Sequence, residues 1–211
     1  REFLTREQAR LDAIVRGSIV LVGLDVIHGH RTIFPIPIGM AASWDPSVHE
    51  RAAEVAAREA RAAGINWTFA PMVDGARDAR WVSMSEGAGE DPYLGAAVAA
   101  AQVRGFQGTA VGEPERVIAG PKHLAGYGGA IGGRDYDEVN LSDSELWNVY
   151  LPPFEAAVRA GAGNIMTAYM DLNGIPETPQ TLHFADDIPV RVLMELSADD
   201  PLMMGAGPEQ Q

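Results

Sequence analysis

Four short clusters of polar side chains in this sequence combine acceptors, charged donors and a titratable ring. They are Asp25 with His28; Asp74 with Arg77 and Arg80; Lys122 with His123; and Tyr169 with Asp171 and Asn173. Ionised carboxylates only accept hydrogen bonds, Lys and Arg only donate them, and His and Tyr can do both. Gathered at one mouth, such groups could bind a polar ligand or move a proton.

The elements that must position them are legible from periodicity. Each cluster follows directly on an apolar, strand-like run, at 18–24, 65–69, 116–119 and 164–167. Between the runs lie Ala-rich stretches with helical spacing, at 46–63, 92–107 and 142–160. Their ends are punctuated. Asp45 and Asp91 stand as N-cap acids before Pro46 and Pro92, and Ser142 with Glu145 forms a capping-box pattern. Gly64 and Gly161 are placed to stop the first and third helices.

Strands that alternate with helices predict parallel β/α units. In such folds the loops after the strand C-termini share one face, which brings the four clusters to one mouth. A closed (β/α)8 barrel takes about 250 residues, so the reading is an α/β fold, a partial (β/α)8 TIM-type barrel of about four units. It occupies 1–176, with 177–211 an unassigned tail.

Composition excludes several classes. Across 211 residues, 16 Lys+Arg stand against 29 Asp+Glu, a net charge of −13, which argues against a nucleic-acid partner. At 46% hydrophobic and 21% charged, the chain can bury a core. No stretch reaches the roughly 18 apolar residues of a membrane span. With no cysteine, disulfides, thiolate nucleophiles and Cys-ligated zinc are excluded. The first residue is Arg1 rather than Met, so the native start is expected to be missing.

Plainer roles compete at several positions. Asp25 could cap a turn, and Tyr169 could be a core tyrosine with a satisfied OH. His28 and His30 have no third metal ligand spaced near them, which favours structural hydrogen bonding and no metal. Among Glu86, Glu90 and Asp91 the simplest role is structural, with Asp91 as an N-cap. Asp186-Asp187 and Asp199-Asp200 read as solvated loop acids. The segment 126–133 is Gly-rich but lacks the Lys-Ser/Thr ending of a phosphate loop, so a mobile loop at the site is expected.

Four ordered stretches carry a family resemblance: GLDVIHGHRTIFPIPIGMAASWDP (23–46), NWTFAPMVDGARDARWVSMSEGAGEDPYL (66–94), GPKHLAGYGGAIGGRDY (120–136) and NIMTAYMDLNGIP (164–176). Over roughly residues 20 to 176 the sequence resembles the N-terminal domain of glycoside hydrolase family 3, which includes bacterial periplasmic-type β-glucosidases. The resemblance implies removal of terminal non-reducing β-D-glucosyl residues by a retaining mechanism, with a β-glucoside or oligosaccharide as substrate and no cofactor. That chemistry needs a nucleophilic carboxylate and a carboxyl acid/base. The family's Ser-Asp nucleophile motif is missing here and its acid/base lies further on, so both are expected outside this chain.

What the resemblance implies for the residues present is a sugar-holding subsite of Asp25, Lys122, His123 and Tyr169. Lys122 is the sole lysine, the other 15 basic residues being Arg. One departure stands out: the family's Arg-Trp-Gly-Arg run reads Arg80-Trp81-Val82-Ser83, so Ser83 replaces an arginine that contacts the sugar. Such a charged donor is worth about 1.5–3 kcal/mol, and its loss leaves Glu86 without its expected partner.

The lead into Asp25 is short for the family and the pattern fades after Pro176. The chain therefore reads as a fragment, a deleted or frameshifted copy, or joined segments. The alternative to an enzyme is an inactive sugar-binding remnant, or a folding fragment whose open strand edges need the remaining segments or a second copy. The compartment is left open, a periplasmic or secreted one being compatible with the resemblance.

Overall fold

The computed structural model describes residues 21–176. Asp186-Asp187, Asp199-Asp200 and residues 18–20 of the first strand-like run lie outside them.

The first strand, β1 (Gly23–Leu24), leads through a loop and a short helix, α1 (Pro37–Ala41), into α2 (Pro46–Ala63). Then come β2 (Trp67–Thr68), a 3-10 turn (Val82–Glu86), α3 (Pro92–Gln107) and β3 (Ile118–Ala119). The three strands form one parallel sheet in the order β1-β2-β3, with Gly23 beside Trp67 and Trp67 beside Ile118. The fourth apolar run lies alongside it without becoming a regular strand. Leu124 and Thr167 form a parallel bridge, and Met166 N–H donates to the Pro121 carbonyl at 2.9 Å.

Helices α2 and α3 cover the expected spans, and their caps act as expected. Asp45 accepts from Ser47 N–H at 2.9 Å and Asp91 from Leu94 N–H at 2.7 Å. Gly64 closes α2 at φ 99°, left-handed backbone that glycine adopts without steric cost.

The third helical stretch differs from expectation. It opens with the capping box of Ser142 and Glu145 as α4 (Asp143–Glu145), widens into a π turn (Leu146–Tyr150) and resumes as α5 (Leu151–Arg159). Pro152 and Pro153 explain the break, because neither has an N–H to donate to the preceding turn. Beyond it, β4 (Asp171–Leu172) and β5 (Ile175–Pro176) form an antiparallel hairpin that periodicity did not indicate. Its turn residues, Asn173 at φ 54° and Gly174 at φ 74°, suit a tight hairpin connection.

The core lies between helices and sheet. Ala53, Ala56, Ala57 and Ala60 of α2 meet Val103 and Phe106 of α3, with Ala119 and Ile165 beneath. The alanines let α2 approach α3 closely, and α3 in turn packs on α5. Buried polar groups tie the layers. Gln107 at the end of α3 donates to the Gly161 carbonyl at 2.6 Å and accepts from Ala119 and Gly163 N–H at 3.2 and 3.0 Å. Trp67 Nε1 donates to Asn164 Oδ1 at 2.8 Å, which fixes the fourth run beside the sheet. No described helix is long and apolar enough to cross a membrane.

Candidate functional site

Asp25 follows β1 directly, and Lys122 comes three residues after β3. The sheet brings them together: Lys122 Nζ donates to both Asp25 oxygens at 2.8 Å each. The lysine side chain is 6% exposed while that of Asp25 is 51% exposed. The ammonium is thus anchored from below and the carboxylate faces outward. An ion pair this close satisfies the cation, and the remaining lone pairs of Asp25 can accept from a ligand.

His123 is held from a different direction. Asp74, beyond β2, accepts from His123 N–H at 2.8 Å and from His123 Nδ1 at 3.0 Å, both at Oδ2. A carboxylate cannot donate, so Nδ1 carries the proton. Neutral His123 can then only accept at Nε2, and it donates there only as an imidazolium. Asp74 is buried, and its Oδ1 has no hydrogen-bond partner. The sequence placed Asp74 at the end of an apolar run but gave no sign that it orients the histidine. The signal available was its position two residues before Ala76 in a wholly buried stretch, which only burial reveals.

Tyr169 lies at the same mouth, its ring centroid 5.4 Å from that of His123. It is 39% exposed and its OH meets Met166 Sδ at 3.6 Å. Tyr127 is buried behind it at 6.2 Å, and Tyr136 stands outside at 5.7 Å. Tyr127 OH donates to Asp135 Oδ1, which also accepts from Trp81 Nε1 at 2.8 Å. Burial first, and the Asp135 charge second, push the Tyr127 phenol well above its usual range, so it stays protonated.

Other residues of the four clusters take structural posts. His28 Nδ1 contacts the Phe34 carbonyl at 3.0 Å. Arg80 binds Asp78 at 2.6 Å, and its hydrogen bonds hold that carboxylate at about pKa 2. The Asn173 side chain brackets Leu141, accepting from its N–H at 2.8 Å and donating to its carbonyl at 2.9 Å. Ser83 and Glu86 sit half-buried on the same 3-10 turn. The Gly-rich segment expected to be mobile is instead packed down, with Tyr127 and Gly128 buried. A Cβ on Gly128 would collide with the Gly75 carbonyl oxygen, so that close approach requires glycine. Among the described residues no group of three His, Asp or Glu is placed to hold a metal ion.

A carboxylate acceptor, an ammonium, an oriented imidazole and an aromatic ring thus line one mouth, a set suited to a polyhydroxylated ligand with one apolar face. The model of the glycosyl hydrolase family 3 N-terminal domain matches residues 4–185. A periplasmic β-glucosidase of Salmonella typhimurium is 40% identical over 179 residues, 84% of this chain and 23% of that protein. A β-xylosidase of Formosa agariphila is 40% identical over 155 residues, 71% of this chain and 21% of that protein. The crystal structure of a β-glucosidase from Listeria innocua superposes with a TM-score of 0.77 at 42% identity, over 80% of this chain and 24% of that one. This chain therefore spans about a quarter of the length of these relatives. Motifs, fold and matched length together place the chain in glycosyl hydrolase family 3, as a member carrying its N-terminal domain.

Proposed function

We propose that this chain is the sugar-gripping part of a retaining β-glycosidase that removes terminal non-reducing β-D-glucosyl residues. Asp25, Lys122, His123 and Tyr169 hold the terminal sugar. Asp25 accepts from its hydroxyls, and Lys122 donates to both Asp25 oxygens and holds that carboxylate in place. His123 accepts at Nε2 in its neutral form, and the Tyr169 ring covers an apolar face of the sugar. The nucleophile and the acid/base that retaining hydrolysis needs come from residues outside this chain. The parallel strand order, with helices between, supports reading the scaffold as a partial (β/α)8 barrel of about four units, its site at the strand C-termini.

The observation that carries this reading is the buried Lys122 ammonium bonded to both oxygens of the outward-facing Asp25. The relatives' names include β-glucosidase and β-xylosidase, and xylose differs from glucose only in lacking the exocyclic CH2OH; glucose is the leading ligand. The test is calorimetric titration with glucose. Binding by the unaltered chain that is lost in both Asp25→Ala and Lys122→Ala is the expected result, whereas unchanged binding in both variants would sink the assignment.

A second reading is favoured by Ser83, which stands where the family resemblance calls for an arginine: a sugar-binding remnant without turnover. Intact mass combined with hydrolysis of an aryl β-glucoside separates the two. Turnover by a species larger than 22.5 kDa supports the enzyme, and binding without turnover at 22.5 kDa supports the remnant.

A further inference from the structure

We propose that Asn173-Gly174 is a self-modification site, at which the Asn173 side-chain amide is converted to a carboxylate and the β4–β5 hairpin is released from the segment leading into α4. These two residues are the only Asn-Gly pair in the sequence. The other four asparagines, Asn66, Asn140, Asn148 and Asn164, are followed by Trp67, Leu141, Val149 and Ile165. An asparagine cyclises when the next backbone nitrogen reaches its side-chain carbon, and a side chain on that next residue obstructs the approach. Gly174 has none, and a Cβ built there would meet nothing within 4 Å, so the approach is open.

The fold holds that amide elsewhere. Residues 139–141 run beside β4: Val139 N–H donates to the Asp171 carbonyl at 2.9 Å, and Asn173 N–H donates to the Val139 carbonyl at 2.8 Å. The main chain then turns away at Asn173 and Gly174, with φ 54° and 74°, and leaves Leu141 without a facing peptide group. The Asn173 side chain stands in for it. Its Oδ1 accepts from Leu141 N–H at 2.8 Å and its Nδ2 donates to the Leu141 carbonyl at 2.9 Å. Leu141 packs against both larger core clusters, and Ser142, the N-cap of α4, follows it directly. One exposed amide thus joins the hairpin beyond Tyr169 to the start of α4.

When the hairpin frays, the Gly174 backbone nitrogen gives its proton to solvent base and attacks Asn173 Cγ. The N–Cγ bond forms, the Cγ–Nδ2 bond breaks, and Nδ2 takes up a proton and leaves as ammonia. Water then opens the cyclic imide at either carbonyl, its OH going to carbon and its proton to nitrogen, to give aspartate or isoaspartate. Water is the sole co-reactant, and nothing is oxidised or reduced. An aspartate at this position still accepts from Leu141 N–H but sets a carboxylate against the Leu141 carbonyl, acceptor against acceptor. Isoaspartate adds a main-chain carbon to a tight turn. Neither product restores the bracket.

The experiment incubates the full chain, folded and unfolded in guanidinium chloride, in one mildly alkaline buffer. Peptide mapping by mass spectrometry follows the amide-to-acid mass gain at each asparagine and separates aspartate from isoaspartate. In the unfolded chain, conversion at Asn173 should outrun that at the other four asparagines. In the folded chain it should be slower by about 10-fold or more, because two hydrogen bonds must open first. The Asn173→Asp variant supplies a second readout: the Leu141 amide should exchange hydrogen about 10-fold faster than in the unaltered chain, with α2 and α3 as protected as before. Conversion at Asn173 no faster than elsewhere in the unfolded chain would overturn the modification site. Equal rates folded and unfolded, or unchanged Leu141 exchange in the variant, would overturn the bracket. None of these outcomes bears on the sugar site, which stands or falls by its own titration.

Discussion

One carboxylate oxygen, Asp74 Oδ2, accepts both the backbone N–H and the Nδ1–H of the same residue, His123, at 2.8 and 3.0 Å. The double contact fixes the ring's position and its tautomer at once. Asp74→Ala should leave two buried donors unsatisfied and destabilise the fold by about 2–4 kcal/mol in urea unfolding. Asp74→Asn keeps an acceptor of the same shape and should cost less. Nitrogen-15 spectra of the imidazole provide the second readout: the Nδ1–H form should dominate in the unaltered chain and give way to a tautomer mixture in Asp74→Ala. An unchanged tautomer balance would mean that Asp74 only packs.

Lys122 is the chain's sole lysine, so an amine-reactive reagent has one side-chain target. Buried and bonded to both Asp25 oxygens, it should react slowly. Asp25→Asn weakens the pair and should speed labelling at Lys122, while saturating glucose should slow it in the unaltered chain. Peptide mapping by mass spectrometry follows both rates; labelling indifferent to Asp25 would contradict the ion pair.

Ser83 stands where the family resemblance calls for an arginine, on the turn that also carries Glu86. Ser83→Arg should restore a charged donor and tighten sugar binding by about 10- to 100-fold, the equivalent of 1.5–3 kcal/mol. Titration with glucose reads this directly. An arginine that leaves affinity unchanged would place this turn away from the ligand.

His49 sits on α2, 1% exposed, with neither ring nitrogen hydrogen-bonded, in a small cavity lined by Met40, Gln102 and Phe106. Burial lowers its pKa below the ordinary 6.5, an effect that the charge of Asp45 offsets only in part. The unfolded chain therefore takes up this proton more readily than the folded one. The stability so contributed is present above pH 6.5 and is lost as pH falls through the lowered folded value. Urea midpoints should fall between pH 7.5 and pH 5, and His49→Leu should flatten that slope. The carboxylates held low by hydrogen bonds, Asp45, Glu59, Asp78, Glu113 and Glu145, are lowered from ordinary values of 3.8 or 4.5 and so titrate below this window. An equal slope in His49→Leu would assign the acid sensitivity elsewhere.

What the sequence determined by itself is what short-range interactions control. Helices α2 and α3 are readable because their caps act over two or three residues, Asp45 on Ser47 and Asp91 on Leu94, and because the apolar stripe between the caps repeats with the helical period. The capping box at Ser142 is legible for the same reason, while the π turn beyond it depends on how two prolines are accommodated in a packed helix. The four clusters after the apolar runs were visible as candidates, and the order of motifs pointed to the family.

Only the tertiary structure decided which candidates meet. Asp25 and Lys122 are 97 residues apart in sequence, and Asp74 and His123 are 49 apart. Each pairing depends on the register of parallel strands whose regular parts are only two residues long. No local spacing encodes that register; it is set by helices packing through their alanines and by long-range ties such as Trp67 to Asn164. The grouping of Tyr127, Tyr136 and Tyr169 is of the same kind, because ring contacts between loops arise only once the sheet has brought the loops to one face.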